Sequence, residues 1–378
     1  MIPHLYIHIP FCSSKCFYCV FYSETGIGRN EVSEYPSLLG KELTLNTQLF
    51  PPLQPQTIYI GGGTPSLLGA EGFAKLTEQL EKFVNPKTLE EWSVEINPSS
   101  ASAELFETMH RCGVSRLTFG AQSFNNPILE TVNRNHNAQC AVEAVKSAAE
   151  HGFSNIGIDL IAGLPGTTAK SWRKDMKTAL LLNPKHISIY ALTVEKGTPL
   201  AAMNSNGLLL PSEEELMDRI REGETILTAE GFIRYEISNY ALPGYECRHN
   251  LGIWRGNDYM GIGPAAASRI KLKRQENIPD FRRWRNALGR NHLPPRLSGI
   301  LSPKDDALER VLFRMRLNEG FSVTDCLKEY PLLKTREQRW QKTLEHLAES
   351  NAVEKNGDSW RLTQRGREVC DYVIRELI

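Results

Sequence analysis

Residues 12–19 read Cys12-Ser13-Ser14-Lys15-Cys16-Phe17-Tyr18-Cys19, a C-x3-C-x2-C spacing placed directly after the apolar-alternating segment 5–9. Thiolates bind soft metals, and three on one short loop can occupy three corners of a tetrahedral or cubane site. A fourth cysteine would close an ordinary [4Fe–4S] cluster; three leave one iron free to take another ligand. Two other readings stay open on the spacing alone. One is a zinc site completed by His4 or His8, the other a set of buried thiols that hold nothing. A disulfide framework fits poorly with an odd-numbered cluster and no secretion signal.

Outward from this loop the chain alternates strand-like and helix-like segments as far as residue 192. Predicted strands cover 5–9, 57–60, 92–97, 116–120, 155–161 and 186–192, and helical patterns such as Phe73, Leu76, Leu80 and Phe83 lie between them. Alternation of this kind implies parallel strands with crossover helices. Six units are too few for a closed eight-stranded barrel, so the expected fold is α/β with a partial (β/α)6 barrel. Period-2 alternation sends Tyr6, Glu95, Thr118, Asp159, Ser188 and Tyr190 to the inner face, opposite apolar neighbours. A purely structural barrel fills such positions with branched apolar side chains. A polar lumen is expected to hold a ligand.

Cys12, Cys16 and Cys19, with Gly61-Gly62-Gly63-Thr64-Pro65-Ser66 after the second strand, resemble the radical S-adenosylmethionine (SAM) superfamily. The stretch Leu5-Tyr6-Ile7-His8-Ile9-Pro10-Phe11 narrows the resemblance to the oxygen-independent coproporphyrinogen oxidase family, which includes a heme-chaperone branch. The resemblance implies a [4Fe–4S] cluster on the three cysteines, with its open iron chelated by SAM. It implies SAM contacts at Gly62, Gly63, Thr64, Glu95, Gln122, Arg134 and Asp159, with Tyr6 beside the first cofactor; one or two SAM molecules are left open. The bare alternative for the glycines is a tight strand-to-helix turn. An electron donor to the cluster is implied as well.

The rest of the chain divides, on this reading, into an α+β extension over 193–295 and a winged-helix-like domain over 296–378. Residues 213–230 form an amphipathic helical pattern and 231–238 a strand. Cys247-Arg248-His249-Asn250-Leu251-Gly252-Ile253-Trp254 resembles the HNxxYW segment of the chaperone branch, with Ile253 at the tyrosine position. The resemblance makes His249 the candidate heme contact, neutral imidazole being a common axial ligand; on the bare reading His249 and Asn250 tie down a loop. Residues 269–296 carry nine Lys or Arg against two acidic residues. Such a stretch is by default a solvated face, and beside a tetrapyrrole it could pair propionates or anionic lipid head groups. In 301–378 two helical stripes are followed by a hairpin signal at Asn356-Gly357-Asp358. That region holds 14 basic and 14 acidic residues, which argues against nucleic acid.

Of 378 residues 41% are hydrophobic and 23% charged, with 44 Lys and Arg balanced by 44 Asp and Glu, as in globular proteins without a global field for polyanions. Neither a signal peptide nor an 18-residue apolar run is present, and five further cysteines are scattered, so a reducing cytoplasm is the expected location. Coproporphyrinogen oxidases of the family carry one more cysteine two residues after the third, where this chain has Phe21, and an extension before the first strand, where only three residues precede His4. Both features favour the chaperone branch: binding of heme and its delivery to hemoproteins. Radical SAM decarboxylation of coproporphyrinogen III is the alternative. Peripheral membrane contact and a dimer are left open.

Overall fold

The computed structural model describes residues 1–85 and 88–378. The six predicted units are present as β1 (Ile2–Ile9), β2 (Leu53–Gly62), β3 (Glu91–Ile96), β4 (Arg116–Gln122), β5 (Ile156–Ala162) and β6 (His186–Ala191), each parallel to the next. Helices α1 (Arg29–Thr47), α2 (Gly69–Leu80), α3 (Ala103–Cys112), α4 (Asn126–Thr131), α5 (Ala138–Glu150) and α6 (Ala169–Leu181) connect them. Local signals set their ends. In α3 the Ser102 side chain accepts from Leu105 N, and Gly113, at φ 94°, supplies the left-handed residue that stops the helix. Leu5, Ile7, Ile9, Val94, Ile96, Leu117 and Phe119 pack outward against the helices in one core, as alternation requires.

The region after β6 does not form a layer of its own. A helix at Glu213–Ala229 is followed by β7 (Ile233–Arg234) and β8 (Asn239–Ala241), which extend the sheet antiparallel from β6. The chain then crosses to the other side, where β9 (Tyr259–Ile262) pairs parallel with β1, in register His4 with Tyr259. β10 (Ala267–Ile270), β11 (Lys273–Asn277) and β12 (Arg296–Ile300) continue outward antiparallel. One twelve-stranded sheet results, in the order β12-β11-β10-β9-β1-β2-β3-β4-β5-β6-β8-β7, with seven contiguous parallel strands at its centre.

The expected strand over 231–238 shrinks to two residues. Glu236 accepts from Ser238 N and Asn239 Nδ2, and the Arg234 guanidinium donates to the carbonyls of Glu236 and Ile237. Local side-chain bonds to the backbone outcompete the ladder there.

Buried Glu42 of α1 ties down the far side of the sheet. Its carboxylate accepts from Gly263 N, Trp284 Nε1, Asn277 Nδ2 and Arg296 Nη2. Four of the nine cations of the basic stretch are paired within the molecule: Arg269 with Asp306, Arg274 with Glu309, Arg285 with Glu31 and Glu34, and Arg296 with Glu42. Lys271, Lys273, Arg274, Arg282, Arg283 and Arg290 are exposed, so the stretch presents the solvated basic face that is its default reading.

Residues from 303 onward form helices at Pro303–Arg314, Val323–Glu329 and Glu337–Glu349, then the strands Val353–Asn356 and Ser359–Leu362, then two short helices. These pack a separate core around Val311, Trp340, Leu344 and Val373. Among the described residues no helix is long and apolar enough to cross a membrane.

Candidate functional site

A cavity of about 420 Å³ opens at the carboxyl ends of the parallel strands. Its lining includes Cys12, Cys16, Cys19, Gly62, Gly63, Thr64, Glu95, Gln122, Arg134 and Asp159. The structure thus gathers every site residue read from the sequence except Tyr6 and His249.

The cysteine loop is held from two directions. Cys12 N donates to Glu24 O at 3.0 Å and Gly63 N to Ile9 O at 2.7 Å, which fixes the glycine run against the end of β1. A Cβ on Gly63 would lie 2.7 Å from Phe11 O and 3.1 Å from Cys12 Sγ, so the glycine is required by the cysteine loop itself. Opposite, residues 132–135 clamp the loop. Phe17 N donates to Val132 O, Asn133 Nδ2 to Lys15 O and Asn135 Nδ2 to Ser13 Oγ. Arg134 places Nη1 3.4 Å from Cys16 Sγ while Nη2 donates to Gly120 O.

A bulge in β4 aims Gln122 into the cavity. The β4–β5 register shifts between Gly120 and Gln122, and Gln122 takes φ 67°, left-handed and strained for a non-glycine residue. Glu95 accepts from Tyr59 OH at 2.7 Å and from Gly62 N at 3.3 Å. Burial pushes its carboxyl up to about 7, with the nearby Asp159 charge adding to the rise and the two hydrogen bonds opposing it. Burial raises Asp159 to about 6, opposed by Ser188, Arg116 and Arg134.

Several of these groups are buried without a partner among the described residues: Gln122 Oε1, Asp159 Oδ1 and Arg134 Nε. Buried polar atoms left open on one cavity fit a ligand rich in amine, hydroxyl and carboxylate groups. The cysteines fit a cluster better than a single ion. No three His, Cys, Asp or Glu side chains among the described residues converge on one ion position, whereas a cubane spreads its thiolates over separate irons. The zinc reading also lacks its fourth ligand. His8 is engaged by Tyr6 OH and Tyr22 O, His4 by Thr57 and Asn257, and neither lines the cavity. The donor set therefore fits a [4Fe–4S] cluster with SAM beside it.

Tyr6 and His249 stand lower in the lumen. The Tyr6 ring stacks on Tyr59 with centroids 6.3 Å apart, and its hydroxyl lies 3.1 Å from His8 Nδ1. His249 belongs to the short helix Arg248–Trp254, which closes the amino ends of the strands. It is 2% exposed; Nδ1 lies 2.8 Å from Thr57 Oγ1, and its backbone N donates to Glu91. Nε2 is buried without a partner, and the ring packs between His4 and Tyr59. His249, the expected heme contact, is thus enclosed by protein in this structure, with Nε2 its free ring nitrogen among the described residues. Two residues that sequence reasoning did not assign also matter: Tyr59, which holds Glu95, and Asn133, whose φ of 57° turns the clamp onto the cysteine loop. The alternation that put Glu95 inward also puts Tyr59 inward, between Ile58 and Ile60.

A parallel partial barrel with three cysteines on its first strand-to-helix loop is the arrangement of the radical SAM superfamily, whose profile matches residues 6–179; the HemN C-terminal domain profile matches 301–369. Two curated proteins named heme chaperone HemW are similar along nearly the whole chain. That of Mycobacterium tuberculosis H37Rv is 34% identical, over 99% of this chain and 94% of its own. That of Bacillus subtilis 168 is 33% identical, over 98% and 97%. The chain belongs to the HemW family. Coproporphyrinogen III oxidase (HemN) from Escherichia coli has the same fold, with a TM-score of 0.85 over 100% of this chain and 90% of its own, at 22% identity.

Proposed function

We propose that the protein binds heme and passes it to heme-requiring proteins, holding a [4Fe–4S] cluster and SAM in the cysteine-rimmed cavity. The observation that carries this reading is the end-to-end similarity to curated heme chaperones, 34% over 99% of the chain. Phe21, where the resemblance places a further cysteine in the oxidases, speaks for the same branch.

When bound, the cluster supplies a reducing electron and an open coordination position. The chain's own residues do the rest. Cys12, Cys16 and Cys19 supply thiolates for three irons, and Arg134 balances charge beside Cys16. Gly62 and Gly63 let the backbone approach closely. Glu95 would accept from an amine N–H of the cofactor, while Gln122 and Asp159 offer free acceptor atoms. The apolar mouth, with Val20 and Phe21, sheds water from the cluster edge. On this reading the partners are heme, the proteins that take it and an electron donor, and the setting is the cytoplasm, where eight free cysteines stay reduced.

The test uses anaerobically reconstituted protein, titrated with heme and then assayed with coproporphyrinogen III, SAM and a strong reductant. Stoichiometric heme binding, transfer to an apo-hemoprotein and no decarboxylated product are expected. Decarboxylated product without stable heme binding would make the protein an oxidase.

A further inference from the structure

We infer that Tyr59 is the positioning residue of the Glu95 carboxylate, and that His249 acts on the SAM pocket through the Tyr59 ring rather than as a ligand of heme iron. The inference rests on reading the cavity as a SAM site.

Glu95 has two protein partners, one per oxygen: Tyr59 OH at 2.7 Å and Gly62 N at 3.3 Å. Gly61 makes room for it, since a Cβ there would lie 2.8 Å from Oε1. The Tyr59 ring is held by two ring neighbours, Tyr6 stacked at 6.3 Å and His249 tilted at 5.2 Å between centroids. With its plane fixed, the phenol can direct its hydroxyl only along its own axis, toward Glu95. His249 is itself immobile, held through Thr57 at 2.8 Å and through Glu91 at its backbone N. The closing helix therefore reaches the Glu95 carboxylate by two contacts, imidazole to phenol and phenol to carboxylate.

Removing the hydroxyl leaves Glu95 with the longer of its two bonds. The other titratable or charged groups that face it are Tyr6, Arg116, Asp159 and Tyr190. Asp159 disfavours its charge and Arg116 favours it. Without Tyr59 OH the carboxyl rises further, and less carboxylate is present near neutrality to accept from an amine N–H of the cofactor.

The experiment measures SAM binding by calorimetry to the reconstituted full chain between pH 6 and 9, with iron and sulfide content as controls. Tyr59→Phe is expected to weaken binding about tenfold near pH 7, with the pH dependence displaced upward and most of the loss recovered at pH 9. His249→Ala, which removes the ring support, is expected to weaken binding severalfold, and His249→Phe, which keeps a ring face without any iron ligand, to restore it. Wild-type affinity and pH profile in Tyr59→Phe overturn the inference. So does unchanged SAM affinity in His249→Ala. A wild-type chain that takes up its cluster but binds no SAM would instead overturn the reading of the cavity. Should a variant fail to hold its cluster, infrared titration of metal-free protein against Glu95→Gln decides. An upward shift of the Glu95 signal in Tyr59→Phe supports the inference; coincidence with wild type overturns it.

Discussion

The two ends of the barrel lumen are both polar, and they differ in what their polar groups face. At the carboxyl ends, Glu95, Gln122, Asp159 and Arg134 border an open cavity, and three of them keep a buried atom with no protein partner. At the amino ends, His4, Thr57, Glu91, Arg116, His186 and His249 form a layer sealed by the helix Arg248–Trp254, and none of them lines that cavity. Most of that layer's hydrogen bonding is internal, and its own unpartnered atoms, Arg116 Nε, His186 Nδ1 and His249 Nε2, border no part of that cavity. Glu91 accepts from Cys247 Sγ and from the backbone N of Arg248 and His249; His186 meets Tyr235; Thr57 bridges His4 and His249. Burial lowers His4 to about 4 and His249 to about 3, so both rings are neutral at physiological pH. Inward polarity alone is thus weak evidence of function. Open valences beside free volume are the stronger sign.

The largest expected effect separates cysteines at the two ends. Cys16→Ala should reduce cluster iron and sulfide to background after anaerobic reconstitution, whereas Cys247→Ala, in the sealed layer, should load normally. Loss of iron in Cys247→Ala would break the comparison.

Next come the carboxylates. Glu91→Ala leaves the backbone amides of Arg248 and His249 without their acceptor and removes a charge that favours buried Arg116, and should cost about 3–5 kcal/mol in urea unfolding. Glu95→Gln should act in the opposite direction in cofactor-free protein. The folded pKa of Glu95 is raised to about 7. Its stabilising contribution is therefore complete below the unfolded-state pKa of about 4.5 and disappears as pH rises through 7. The variant should be more stable than wild type at pH 8 by about 1–3 kcal/mol and should show a flatter pH profile between 4.5 and 7. Equal stabilities at pH 8 would mean that Glu95 is better solvated than its surroundings indicate.

The smallest effect is expected outside both ends. Arg282→Glu with Arg283→Glu should change stability by no more than about 0.5 kcal/mol, because neither side chain is buried.

Much of the top of the lumen was legible in the sequence. Parallel strands buried on one side and lining a lumen on the other have a period of two, so Glu95 and Asp159 could be placed from their apolar neighbours alone. Gln122 could not be placed that way, because a bulge offsets it; only the resemblance marked it. The sealed end was harder. A histidine ringed by apolar and aromatic residues has the same local pattern whether it binds a ligand or closes a core, and the contacts of His249 are with residues 4, 57, 59 and 91, distant in sequence. The ion pairs of the basic stretch were hidden for a similar reason: the acidic partners Glu31, Glu34, Glu42, Asp306 and Glu309 lie outside it in sequence. Nor does anything local to 259–262 announce that this short apolar run pairs with the first strand.

That last pairing sets a schedule for the chain as it is made. β1 leaves the ribosome before the other strands of the sheet and finds β2 early, but its other edge stays bare until Tyr259–Ile262 has emerged. For most of synthesis the strand leading into the cysteine loop is an unpaired edge, open to wrong partners. A contact of such long sequence separation also closes slowly. Iron delivered before that closure would meet the three thiols on a half-built support, so the natural order of assembly is chain first, then metal.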